Sequence, residues 1–410
     1  MDDRLLPHEP ATAPGRTARP GFALPVAIFA IVVLGVVITG GFFAASQEDR
    51  IASSNRMAAE AFIAAERGMH EVLGTHYRAQ LEEIAIDDTS VIGPVFVTQG
   101  GVETSYTVTI RRMGTRLYYI ESVGEVHSGG ALAGARRQVG MMVRTRTMEG
   151  EFDQALRVYG HVTIGGNTTV SGNDTIPAAW QEQCEPAESK PGIVLKDEDF
   201  ITRRGAAHKI LGAPPLEEVP DMEHDEFVVF GDMTFDDLAD LAVAFGKVYP
   251  SGENESGANP GAMGEVCDVD RRSNWGAPTN ENHQCHLYFP LILAQGSGRV
   301  FSVTGNSVGQ GILLVEGDLR MAGTSRFYGI VIVKGSFEIG SGTARVNGTV
   351  LAGNDGSLAP DDGSAVTGTP TVQYSSCAIA RAQLYNDALS RAVPLTKRSW
   401  FDLTLARDGL

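Results

Sequence analysis

Four cysteines, Cys184, Cys267, Cys285 and Cys377, are the side chains of this sequence best suited to covalent chemistry. Their number is even and no C-x-x-C pair occurs, which favours two disulfides over a zinc site, although His283 and His286 stand beside Cys285. Cys267 and Cys285 are near neighbours in sequence and could close a local loop, leaving Cys184 and Cys377 as a long-range staple. The sequence itself leaves three pairings open. A second group, Glu316, Asp318, Arg320, Lys334 and Glu338, has the mixed acid and base character of a polysaccharide-cleaving face. Glu316 aligns with Lys334 and Arg320 with Glu338 one repeat later, so ion pairs between repeats on a solvated face explain the same residues without catalysis. No H-E-x-x-H and no phosphate-binding glycine loop is present; a G-x-S-x-G string occurs once, as GNSVG at 305–309, among the glycine-rich short strands. The expectation is that the chain is not an enzyme. No cofactor and no metal ligand set are expected either. Calcium is the one ion with a case, because residues 220–226 and 353–363 are rich in oxygen ligands, but neither stretch matches an EF-hand loop.

The formal net charge is −17, with no stripe of Lys and Arg, which excludes a nucleic-acid partner and points to a solvated acidic surface. The 410 residues allow two or three folding units. Glycine is abundant, 48 residues clustered in the second half, and suits short strands and tight turns.

The stretch that organises the rest is residues 22–45, FALPVAIFAIVVLGVVITGGFFAA, uncharged and polar only at Thr39. As a helix it would rise about 36 Å, enough to cross a bilayer core of about 30 Å. Arg16 and Arg19 before it would hold that end in the cytoplasm. A secretory signal would place its small residue after the apolar core; here Gly21 precedes it and abuts Phe22. No Gly or Pro interrupts residues 44–67, so the helix is expected to run on to about residue 83, with Gly68 and Gly74 as weak points.

These residues resemble the leader and helix of type IV prepilins and pseudopilins. The string AFIAAERG at 61–68 resembles the AFxAAExG signature of PilX-type minor pilins. The resemblance covers about residues 15–70. It implies cleavage after Gly21 by a prepilin peptidase, methylation of Phe22, and an apolar helix (Phe22, Pro25, Val26, Phe29, Phe42) that serves first as inner-membrane anchor and then as filament core. Major pilins carry a glutamate five residues into the mature chain. Here that position is Val26, preceded by Pro25, a departure that resembles the tip-located pseudopilin K of type II secretion.

Beyond the helix, residues 94–147 alternate polar and apolar with period two, the pattern of an antiparallel meander of three or four strands. Its buried face would pack on the helix from about Asn55. From residue 310 a unit recurs: Gly311 and Gly317 match Gly329 and Gly335, and Gly348 follows. Leu313, Val315, Val331 and Val333 would stack inward in solenoid rungs. Residues 159–175 share the texture and could add a rung across an irregular insertion at 176–290. Within that insertion Thr234, Asp236, Asp237 and Gly246 frame one helix. A C-terminal helix with Ile379, Leu384 and Leu389 would cap an open end of the solenoid, and Trp400 and Phe401 would be packing anchors in the tail.

The expected class is therefore α+β: leader 1–21, long helix 22–83 spanning the membrane at 22–45, pilin-like meander 84–150, β-rich solenoid-like domain 151–377, and capping helix with tail 378–410. The expected function is a minor pilin or pseudopilin of a type IV pilus or type II secretion-like filament. Its partners would be other pilins, the inner membrane, the prepilin peptidase and a surface or glycan ligand. It would be single-pass, with its C-terminal domain extracytoplasmic and then displayed on the pilus. The rivals are an uncleaved envelope protein with a β-solenoid scaffold or carbohydrate-binding domain, and a β-helix polysaccharide enzyme.

Overall fold

The computed structural model describes residues 23–75, 78–127, 134–146, 148–356, 363–395, 397 and 399–404. Helix α1 (Ala23–Thr75) carries the apolar run into the polar segment without a break. Thr39 satisfies its hydroxyl by donating to the Gly35 carbonyl at 2.7 Å, so nothing in the run demands water. A short helical segment α2 (Arg78–Glu82) follows, and residues 76 and 77 between the two lie outside the described residues.

Four antiparallel strands come next: β1 (Thr89–Gln99), β2 (Val102–Arg112), β3 (Leu117–Val126) and β4 (Arg136–Thr145), paired in chain order. β1 begins before the expected residue 94 and contains Pro94, beside a register shift between Ile92 and Val95. An edge strand tolerates proline because one side of its ladder is unused. Burial alternates strictly along β3, and Tyr118 and Ile120 join Tyr106, Val108 and Ile110 of β2 in a core with α1.

The remainder is dominated by parallel pairing. β5 (Leu156–Val158), β6 (Val162–Gly165) and β7 (Thr169–Ser171) make one circuit of the chain. β8 (Ile193–Leu195), β9 (Ile201–Arg204) and β10 (Lys209–Leu211) lie beside them in parallel, and β11 (Leu216–Glu218) lies beside β8. These four strands occupy a region expected to be irregular. Their apolar runs are only one to three residues long and are cut by Pro191, Pro214 and Pro215, so their period is hidden. The hairpin β12 (Val229–Phe230) with β13 (Met233–Thr234) then leads into α3 (Phe235–Phe245), which is capped by Thr234 and ends at Gly246. β14 (Lys247–Tyr249) and the hairpin β15 (Ala262–Met263) with β16 (Val266–Cys267) follow.

From β17 (Leu291–Ala294) and β18 (Val300–Val303) the chain circulates through β19 (Val308–Val315), β20 (Asp318–Gly323), β21 (Arg326–Val333), β22 (Phe337–Gly342), β23 (Arg345–Ala352), β24 (Ser364–Val366) and β25 (Thr371–Tyr374). β19, β21 and β23 are in register, with Gly311, Gly329 and Gly348 in one column at φ +113°, +138° and +141°. A Cβ on Gly348 would lie 1.8 Å from the Gly329 carbonyl oxygen, and one on Gly329 would lie 2.0 Å from that of Gly311. Each strand turns the same corner there. The first half of β23 pairs with β25 and its second half with β5. β24 pairs with β6 and β25 with β7, so residues late in the chain stack directly on residues near 160.

Leu313, Val315, Val331 and Val333 are fully buried, as are Ile312, Leu314, Ile330 and Ile332 between them. Both faces of this sheet are covered, which is why the runs GILLV and GIVIV are continuously apolar. The outer cover is α4 (Ser376–Leu384), which lies across β19, β21 and β23. It was expected to close an end of the stack; its buried Ala378, Ile379 and Ala382 fit a sheet face instead. After α5 (Asp387–Ser390), β26 (Ala392–Pro394) and β27 (Trp400–Asp402) return to pair with β4. The tail therefore completes the first sheet.

The disulfides join Cys184 to Cys377 and Cys267 to Cys285, with Cα separations of 5.9 and 4.9 Å. Of the ion pairs expected between repeats, Arg320–Glu338 forms at 3.7 Å. Glu316 instead accepts from the Gly296 N–H at 2.8 Å, and Lys334 reaches Asp236 at 2.9 Å.

Candidate assembly helix

α1 divides into two halves that treat solvent in opposite ways. Thirteen large apolar side chains between Leu24 and Phe43 are exposed, with Phe29 70% and Phe42 77% accessible. At about 1.5–3 kcal/mol per buried side chain, withdrawing them from water is worth on the order of 20 kcal/mol or more. Pro25 stands in the first turn, where a missing N–H costs nothing. Val26 is also exposed, so no charge marks this end of the described helix. Gly21 and Phe22 lie outside the described residues.

The second half is fastened to the sheet by small residues. Ala61, Ala65, Gly68 and Val72 fall on one helical face, and Ala61 and Ala65 are fully buried. The contact is closest at Gly124 of β3, where a Cβ would lie 2.0 Å from the Ala61 carbonyl oxygen and 2.5 Å from the Ala65 nitrogen. A Cβ on Gly68 would lie 2.6 Å from the Tyr106 ring. The string AFIAAERG thus has a physical meaning here. Its Ala and Gly positions let backbone meet sheet, its Phe62 ring meets Trp400 edge-on at 6.0 Å, and its Ile63 faces outward.

Just beyond the motif, the buried Tyr106 hydroxyl donates to the Glu71 carboxylate. Burial first, and then that carboxylate, push the Tyr106 phenol up to about 12. The strand period foretold a buried sheet face, but neither Gly124 nor the Tyr106–Glu71 pair could be picked from the sequence. A glycine inside an alternating run, VGEV, was the available signal.

The other residues singled out from the sequence are dispersed. Cys184 and Cys377 tie the loop after Trp180 to the start of α4, and Cys267 and Cys285 close a loop near β16. Asp318 accepts from the Ser336 N–H and hydroxyl at 2.7 and 2.8 Å, away from any cluster of acids. In residues 220–226, Glu223 and Glu226 form a reciprocal helix cap and Glu226 also pairs with Arg157. Among the described residues no three His, Cys, Asp or Glu side chains are grouped to hold a metal.

No protein-family profile matches the chain, and no curated protein matches it. One solved structure to which it is similar is the competence-associated pilin ComZ from Thermus thermophilus. The identity is 11%, the coverage 84% of this chain and 97% of that one, and the TM-score 0.25. A superposition that loose carries no weight for function.

Proposed function

We propose that this protein is a minor-pilin or pseudopilin subunit. Its apolar half-helix would anchor it in the inner membrane and then pack among the helices of neighbouring subunits. The observation that carries this reading is the division of α1: an exposed apolar half continues directly into a half locked to a four-stranded sheet by Ala61, Ala65, Gly68 and Gly124. Helix and sheet are then one rigid unit, so moving the helix from lipid into a filament moves the whole molecule. The leader would be removed after Gly21 and Phe22 methylated. The parallel coils from β5 to β25 are read as a β-solenoid displayed outside the membrane. Parallel register and the glycine column at 311, 329 and 348 support that reading. The role is structural and needs no cofactor or catalytic step. The uncharged Val26 position supports placement at a filament tip.

The test is mass spectrometry of the N-terminus in native membranes, with and without prepilin peptidase. A peptide beginning at methylated Phe22, lost without the peptidase, is the expected result. An intact leader in both strains would overturn the reading in favour of an uncleaved envelope protein.

A further inference from the structure

A cleft of about 510 Å³ opens where four segments meet: the end of α3 with β14, the loop after β16, Tyr288, and α5, through its first residue Asp387, with Arg391 just after it. This is within the size range of small-molecule sites. Its three cations are already engaged. The buried Lys247 ammonium donates to the Val269 carbonyl, Arg272 pairs with Glu253 at 2.6 Å, and the Arg391 guanidinium lies 4.8 Å from the centre of the Phe245 ring. Among the described residues, neither the Asp270 and Asp387 carboxylates nor the Tyr288 hydroxyl makes a side-chain hydrogen bond or ion pair. Exposed carboxylates and a half-buried phenol left without a protein hydrogen-bond partner on a cleft wall are available to a ligand rich in donors.

The ligand's charge follows from the same lining. An ammonium would meet Lys247, Arg272 and Arg391 at close range. An anion would meet two carboxylates with no ion-pair partner. A neutral polyhydroxyl ring avoids both costs: its hydroxyls donate to Asp270 and Asp387 and exchange bonds with Tyr288, and its C–H face lies on the Tyr288 or Phe245 ring. Burial holds the Lys247 ammonium below its usual range and the Tyr288 phenol above its own, so these two groups are partly withdrawn from water, whereas Asp270 and Asp387 are exposed and within reach of a ligand from solvent.

We propose that this cleft binds a neutral saccharide of pyranose units through Asp270, Asp387 and Tyr288. The inference is independent of the filament reading. It is tested by saturation-transfer NMR on the full chain in a zwitterionic detergent, with the neutral trisaccharides maltotriose, cellotriose and N,N′,N″-triacetylchitotriose as probes at millimolar concentration. Saturation transfer to at least one probe is expected, weakened about tenfold or more by Asp270→Asn or Asp387→Asn. Tyr288→Phe removes a single oxygen and gives the same readout should either Asn variant melt early. Transfer to none of the probes, or transfer that survives all three substitutions, overturns the proposal. So does binding of spermidine or inorganic phosphate in place of the saccharides.

Discussion

Gly124 and Tyr106 make separate contributions to one contact. Gly124 lets the Ala61 backbone in; Gly124→Ala places a methyl 2.0 Å from a carbonyl oxygen that belongs to a helix and cannot turn aside. Overpacking of this kind costs about 1–3 kcal/mol. Thermal melts of the full chain in detergent should show the loss at the upper end of that range, and an unchanged melt would refute the close docking of α1. Tyr106 adds a pH dependence. Its folded pKa, raised from 10.0 to about 12, lies above that of an unfolded tyrosine. Its contribution is therefore complete below pH 10 and is lost as the pH rises from 10 to 12, where the unfolded chain releases the proton first. Tyr374, also raised to about 12 by burial, acts in the same direction. Tyr106→Phe should lower stability at neutral pH by about 1 kcal/mol and flatten the alkaline decline.

Helix α3 shows what a sequence can say about an element. Thr234, Asp237 and Gly246 marked its ends, and the reciprocal cap between Thr234 and Asp237 is present, with the Thr234 hydroxyl accepting from the Asp237 N–H at 3.1 Å. Thr234→Ala should cost about 1 kcal/mol in a denaturation series. The cap's hydrogen bonds to the Asp237 carboxylate hold its pKa below 3.8, so the stability it lends is present above that value and lost as the pH falls through the lowered one. Local rules settle such ends because every partner lies within one turn. The antiparallel strands β2 to β4 were legible for a related reason, since one covered face imposes a period of two. β8 to β11 were not. Each is a few residues long, and its reason for being a strand is a neighbour far away in sequence. The cover provided by α4 was misjudged on similar grounds: Ile379 and Leu389 announce an apolar face without saying which surface it meets. The cleft was not legible at all, because Asp270, Tyr288 and Asp387 approach one another only through tertiary folding.

At the scale of the molecule, the Cys184–Cys377 bond lies beside the seam where β23, β24 and β25 meet β5, β6 and β7. Removing it through Cys377→Ser should cost about 2–5 kcal/mol. The loss should appear as a lower melting temperature without reductant and vanish when both proteins are melted in reductant; equal melts under oxidising conditions would show that the seam needs no staple. That seam also bears on biogenesis. A ribosome delivers residues 156–171 long before residues 345–374, so the first circuit waits with one edge unpaired until those residues have been made. The first sheet waits too, because β4 receives β26 and β27 only from residues 392–402. Both sheets are thus completed by strands that follow residue 344. A product truncated before residue 345 would keep its exposed apolar helix while leaving two sheets open-edged, each a template for pairing with another chain.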